Sequence, residues 1–238
     1  MRHIPKGKAP PASIREWREV QEPVGLNLDY DSFNRKAALR AELVEEQYGL
    51  CGYTGTPLDD RLGGYQETDR NLAFQAHIEH IKPRSVCRLE LEERGAEYGR
   101  EICEDMDHRN LVAALEVRRK PPAKSELFGA AAHGNDELPV TPVQPDCEQR
   151  FRYDDNGGVT GTDDDAKNTI KLLKLNHTTL EGWRRGAIWG FLPVEVMPTR
   201  EDLQQMIDVL DGPANGRLAE FSFCIRSHLQ FLLGESED

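Results

Sequence analysis

Within His77-Ile78-Glu79-His80-Ile81-Lys82-Pro83, two imidazoles and a carboxylate fall inside four consecutive residues. Such donors hold a divalent ion, and an imidazole, which titrates near ~6.5, can also take a proton from water. On an ideal strand His77 and Glu79 share one side and His80 takes the other. For these groups to serve one site, the chain must turn at 79–80, with His77 in a supporting role. Lys82 and Arg84 flank the group and are candidates for phosphate contact. Taken alone, the stretch reads equally as a polar surface strand.

Other groups invite chemistry less strongly. Arg118-Arg119-Lys120 reads as a solvated loop, and His177 as a helix-start residue. Asp163-Asp164-Asp165 reads as a capping cluster before a helix, and Trp183 and Trp189 as core. The five cysteines, Cys51, Cys87, Cys103, Cys147 and Cys224, are scattered and contain no C-x-x-C pair. Neither a disulfide framework nor a paired-knuckle zinc site can be written from them, so they read as small buried hydrophobes.

The elements that must position these groups follow from pattern. The first 28 residues are rich in proline and basic side chains and read as an extended arm anchored by Ile4, Ile14 and Trp17. A helix capped by Asp31 or Ser32 is predicted to run to about Tyr48, with Phe33, Ala37, Leu43 and Val44 inward and Gly49 as its stop. LCGYTGTPLDD predicts a short strand and turn, and NLAFQAHI a half-buried strand over 71–78. Residues 88–101 read as helix or loop, Asn110 opens a short helix in NLVAAL, and FRYDDNGGVTG turns as a hairpin at Asn156-Gly157. Helical periodicity returns at 164–175, 178–189, 200–210 and 215–233. The last carries the stripe Leu218, Phe221, Ile225, Leu229 and Leu232.

Charge constrains the partner. The 238 residues include 30 basic and 42 acidic side chains, a net charge of −12, which opposes unaided binding to nucleic acid. Residues 136–238 hold ten basic and nineteen acidic side chains, so a polyanion would meet the N-terminal half or need a basic partner. The sequence contains neither an apolar span of about 18 residues nor a signal-peptide pattern, which predicts a cytoplasmic protein.

The order of motifs is informative beyond composition. Cys51-Gly52-Tyr53-Thr54 precedes the His77–Pro83 stretch, Asn110-Leu111 follows it, and His133-Gly134-Asn135 comes last. This order resembles the HNH endonuclease family. MRHIPKGKAPPASIREW, HIEHIKP, FRYDDNGGVTG and LLKLNHTTLEGWRRGAI resemble a narrower group, the HNH nucleases paired with an ATPase in Septu-type antiphage systems and some retrons. The likeness covers about residues 1–190.

That resemblance implies an α+β fold. A ββα-metal core would lie at 50–140, preceded by an arm and helix at 1–49 and followed by a mainly helical region at 141–238. It implies that Glu79 and His133 hold one divalent ion, that His80 is the general base, and that Asn110 orients His80. His77, Lys82 and Arg84 would support the site or touch phosphate. The ion would be Mg²⁺ or Mn²⁺, with Ni²⁺ or Zn²⁺ as further candidates for an imidazole-bearing site. Thr54 and Phe128 stand where relatives carry cysteines, so a structural zinc is expected to be absent and Tyr53 and Phe128 to pack the hairpin instead. The implied substrate is DNA and the implied partner an ABC/SMC-like ATPase; the acid excess of the C-terminal half places the docking surface mainly outside residues 50–140, on the helical region, with the arm as a further candidate. A catalytically degenerate adaptor that keeps the fold and binds the ATPase is the rival reading.

Overall fold

The computed structural model describes residues 1–25, 27–65, 73–118, 126–192 and 198–235. The chain is α+β, as predicted. Eight helices run α1 (Ala12–Gln21), α2 (Lys36–Glu46), α3 (Arg84–Glu93), α4 (Ala130–His133), α5 (Asp164–Leu172), α6 (Thr178–Phe191), α7 (Arg200–Leu210) and α8 (Ser222–Glu235) among the described residues. Two antiparallel strand pairs accompany them: β1 (Ala73–His80) with β2 (Leu111–Arg118), joined through α3, and the hairpin of β3 (Phe151–Tyr153) with β4 (Val159–Gly161).

The arm is anchored through buried Ile4, Ile14 and Trp17, yet it is not extended throughout. Pro11 sets up α1, in which Ile14 and Trp17, three apart, share the inward face. Trp17 meets the edge of Phe33 at 5.4 Å, and Ser13 donates to Glu42 of α2. Helix α2 begins at Lys36, several residues later than its pattern suggests. Asp29 accepts from the Ser32 amide, and that local turn holds the chain out of the helix. Leu39 and Leu43 are its buried residues, while Ala37 is exposed.

Two predicted elements change type. LCGYTGTPLDD forms no strand, only an isolated Leu50–Pro57 bridge around a turn. NLVAAL is strand β2, not a helix. Leu111 through Leu115 are all buried, so the run carries no alternation by which a strand could be told from a helix. Register runs from Ala73 opposite Arg118 to His80 opposite Leu111. β1 continues through His80, so the chain does not turn at 79–80; it turns just beyond, where Ile81 donates to the Asn110 carbonyl and Pro83 starts α3. Asn71, Leu72, Arg119 and Lys120 lie outside the described residues.

Gln47, buried at the end of α2, ties that helix to β2. Its Nε2 donates to the carbonyls of Leu50 and Ala113 at 2.8 and 2.9 Å, and its Oε1 accepts from the Ala113 amide at 2.6 Å. One main core takes residues from every part of the chain, including Ile4, Leu39, Tyr53, Leu115, Phe151, Ile170 and Phe221. A second cluster joins Ile188, Leu203, Ile207, Leu210, Ile225 and Leu229 of α6, α7 and α8. Helix α8 starts at Ser222, so Leu218 and Phe221 are buried ahead of it rather than on it. Trp183 packs beside Phe74 and Phe128, whereas Trp189 is 52% exposed and donates from Nε1 to the Asp155 carbonyl. All five cysteines are free and buried. Among the described residues, no helix is long and apolar enough to cross a membrane.

Caps follow the sequence signals. Asp163 accepts from the Ala166 amide at the head of α5 and takes a two-pronged contact from Arg150, at 2.8 and 2.7 Å. His177 caps α6, and Thr199 with Asp202 forms a capping box on α7.

Two stability tests follow. Gln47→Ala strands the Ala113 amide and two carbonyls, and should cost about 2–4 kcal/mol in urea unfolding. Arg150 holds the Asp163 carboxyl well below its ordinary value of 3.8. Its contribution is present above that ordinary value and disappears as pH falls toward the folded-state value. Asp163→Ala should therefore melt below wild type at pH 7, and the difference should shrink in strong acid.

Candidate functional site

The candidate site is built at the end of β1. Glu79 and His133 are 54 residues apart in sequence, yet His133 Nε2 lies 3.0 Å from Glu79 Oε1. The other carboxylate oxygen, Oε2, is 2.9 Å from His77 Nε2. His77 and Glu79 therefore share a strand face, as alternation requires, and His133 is delivered to that face by α4. Gly129 starts this short helix with φ 64°, and its amide donates to the Leu173 carbonyl. A Cβ at Gly129 would come within 3.1 Å of Thr54 Cγ2, so the approach of α4 to the 51–56 turn depends on glycine.

Proton positions follow from the acceptors. His133 Nδ1 contacts the Asp136 carbonyl at 2.9 Å. A carbonyl only accepts, so Nδ1 carries a hydrogen and Nε2 is the nitrogen aimed at Glu79. Facing an ionised carboxylate, Nε2 must itself hold a proton or share a cation with it. Burial opposes the charge on His133, but the Glu79 hydrogen bond outweighs it and holds His133 above its ordinary pKa. Burial likewise pushes Glu79 up, and the hydrogen bonds from His133 and His77 bring it net below the usual carboxylate range. His77 donates through Nε2, leaving a buried Nδ1 with no partner.

The donor set is one carboxylate with imidazole nitrogens, which suits a divalent transition ion or Mn²⁺. Two ligands at right angles on an ion with bonds of about 2.1 Å lie about 3 Å apart, which is the spacing of the Glu79–His133 pair. The residues fit. Among the described residues, no group of three or more His, Cys, Asp or Glu side chains is already gathered as a metal cage. Protein atoms would supply part of a coordination sphere here, not all of it.

His80 occupies the opposite face. Its Nε2 donates to the Asp105 carbonyl at 3.0 Å, and Tyr30 packs edge-on at 4.5 Å between ring centres. That fixes the tautomer and leaves Nδ1 as the basic nitrogen. Burial lowers its pKa to about 4, so the ring is neutral at pH 7.

Asn110 does not touch the His80 ring, although it was expected to orient it. Its Oδ1 accepts from the Lys82 amide at 2.7 Å, and its Nδ2 donates to the carbonyls of Lys82 and Glu104, both at 3.2 Å. It thus clips the chain leaving β1 to the segment that presents the Asp105 carbonyl, and acts on His80 through the backbone. Lys82 pairs with Glu90 and Glu104, and Arg84 with Asp31 at 2.5 Å. Both cations are tied into ion pairs rather than held open for phosphate. Tyr53 and Phe128 are both buried, and the Tyr53 hydroxyl has no partner.

Tyr30 and the Asp105 carbonyl were missed by sequence reasoning. A backbone carbonyl leaves no mark on residue type, and a tyrosine 50 residues upstream carries no spacing signal. Compared with known proteins, the chain matches no protein-family model and no curated protein.

Asn110→Ala should free three backbone groups at the β1 exit and cost about 2–3 kcal/mol. Faster amide hydrogen exchange at Lys82 than at Leu115 would mark the loss as local.

Proposed function

We propose that the chain is a metal-dependent endonuclease of the HNH type, which hydrolyses phosphodiester bonds of DNA as the effector subunit of an ATPase-associated antiphage complex. One observation carries the reading. A carboxylate and an imidazole from distant segments meet at 3.0 Å on one face of a strand end, while the adjacent His80 is neutral and held in one tautomer on the other. β1, α3, β2 and α4 follow in that order, with Glu79 near the end of the first strand and His133 at the end of the short helix. The ABC/SMC-like ATPase comes from the sequence resemblance, and the net charge of −12 supports a basic partner.

In this reading Glu79 and His133 hold one divalent ion, Mg²⁺ or Mn²⁺. When bound, the ion supplies positive charge against the phosphate oxygens and the departing 3′ oxygen. His80 Nδ1 takes a proton from the water that attacks phosphorus, and Nε2 keeps its hydrogen on the Asp105 carbonyl throughout. Burial works against the imidazolium that forms, and the charge on Glu79 offsets part of that cost. Asn110 keeps the strand exit, and so the base, in place. His77 holds the second oxygen of Glu79 and so fixes the plane of its carboxylate.

Three outcomes test this. Plasmid DNA should be cleaved by the protein with its partner in Mn²⁺ at least as fast as in Mg²⁺, because imidazole donors favour the softer ion. His80→Ala should slow cleavage about 10²–10⁴-fold without loss of fold, and Glu79→Ala should also abolish Mn²⁺ retention measured by elemental analysis. A complex inert on every nucleic acid tried, with metal content unaffected by Glu79→Ala, would favour the adaptor reading.

A further inference from the structure

The groups nearest the candidate site are poor phosphate contacts, because Lys82 and Arg84 are held by Glu90, Glu104 and Asp31. A different part of the surface offers open positive charge. Gly7, Lys8 and Pro10 of the arm, Arg18 of α1 and the turn 107–109 enclose a cavity of about 260 Å³. Liquid water takes about 30 Å³ per molecule, so the space admits a phosphate group together with several waters.

Its wall carries Lys8, Arg18 and Arg109 against one carboxylate, Asp107, whose Oδ1 already accepts from the Arg109 amide at 2.9 Å. The Lys8 and Arg109 side chains make no ion pair among the described residues. Arg18 is anchored at one end, where Nη2 donates to the Met106 carbonyl at 3.0 Å, while its Nε is buried with no partner. A guanidinium held at the cavity wall offers its remaining N–H groups to an anion.

The cavity is also held rigid. Lys6 Nζ donates to Glu46 and to the Leu111 carbonyl, both at 2.6 Å, and His108 Nε2 lies 2.8 Å from the other Glu46 oxygen. This places the arm against the start of β2 and turns the Glu46 charge toward Lys6 and His108. The segment that forms the cavity wall at 107–109 is continuous with Asp105, which positions His80, and with Asn110.

We infer that this arm–turn cavity binds a backbone phosphate of DNA, neighbouring the bond that is cut. The inference rests on the nuclease reading for the identity of the polyanion, but not for the presence of an anion site. One wall residue, Arg18, sits on a helix, one, Lys8, on the arm, and one, Arg109, beside the catalytic segment. A strand engaged here is registered against His80 through a single short stretch of backbone.

The test uses the full chain and two probes. In the first, pyrophosphate is titrated while amide and Arg Nε–H resonances are followed. Shifts should centre on Arg18 and residues 107–109, and should vanish in the double variant Lys8→Gln/Arg109→Gln. In the second, a labelled DNA duplex is titrated in EDTA at rising salt. The double variant should bind about tenfold more weakly, with a log–log salt slope shallower by about two, whereas Lys167→Gln/Lys171→Gln on α5 should match wild type. If pyrophosphate leaves those resonances unmoved, or the double variant binds DNA like wild type, the site is wrong. If pyrophosphate binds as described but the chain with its partner in Mn²⁺ neither binds nor cuts DNA, the anion site stands and the nuclease reading falls.

Discussion

The antiparallel register of β1 and β2, with His80 opposite Leu111, is the constraint from which the rest of the site follows. A strand sends successive side chains to opposite faces, so this register commits Glu79 to the face that α4 reaches and His80 to the face closed by Tyr30 and the Asp105 carbonyl. A slip of one residue would exchange the two and present an imidazole to His133 and a carboxylate to a carbonyl oxygen. Both faces of β2 are buried along Leu111–Leu115, which makes such a slip costly everywhere along the strand pair at once.

Burying a carboxylate is the second demand, and the chain meets it with imidazoles rather than with arginine. Each oxygen of Glu79 has its own histidine, and the net result is an ionised acid inside the fold. Arginine would neutralise the charge permanently. An imidazole can instead release its proton and turn the same nitrogen toward an ion, so the pairing stabilises the fold without closing the site to a metal.

Parts of this arrangement were legible in residue order. The alternation of Phe74, Ala76 and Ile78 announced β1, and it placed His77 and Glu79 together. The joining of Glu79 to His133 was not written in spacing; it entered only as an expectation from an order of motifs that resembles a family's. β2 was misread because a strand buried on both sides looks like any apolar run. The start of α2 was misplaced because Asp29 captures the Ser32 amide, a local competition invisible to helical periodicity. Trp189 was assigned to the core on residue type, yet its indole finds a carbonyl at the surface instead. The clip made by Asn110 was foreseen as a residue and not as a set of contacts, because its partners are backbone atoms.

Gln47 has a consequence beyond tying a helix to a strand. A two-stranded sheet leaves its outer edges unpaired, and in this register the amide and carbonyl of Ala113 and the carbonyl of Leu111 point away from β1. The Gln47 carboxamide occupies both Ala113 groups, and Lys6 occupies the Leu111 carbonyl. A helix end and an arm thus impersonate a third strand with side-chain atoms alone. The most apolar strand of the chain is thereby denied the open edge through which copies of a protein recruit one another into aggregates.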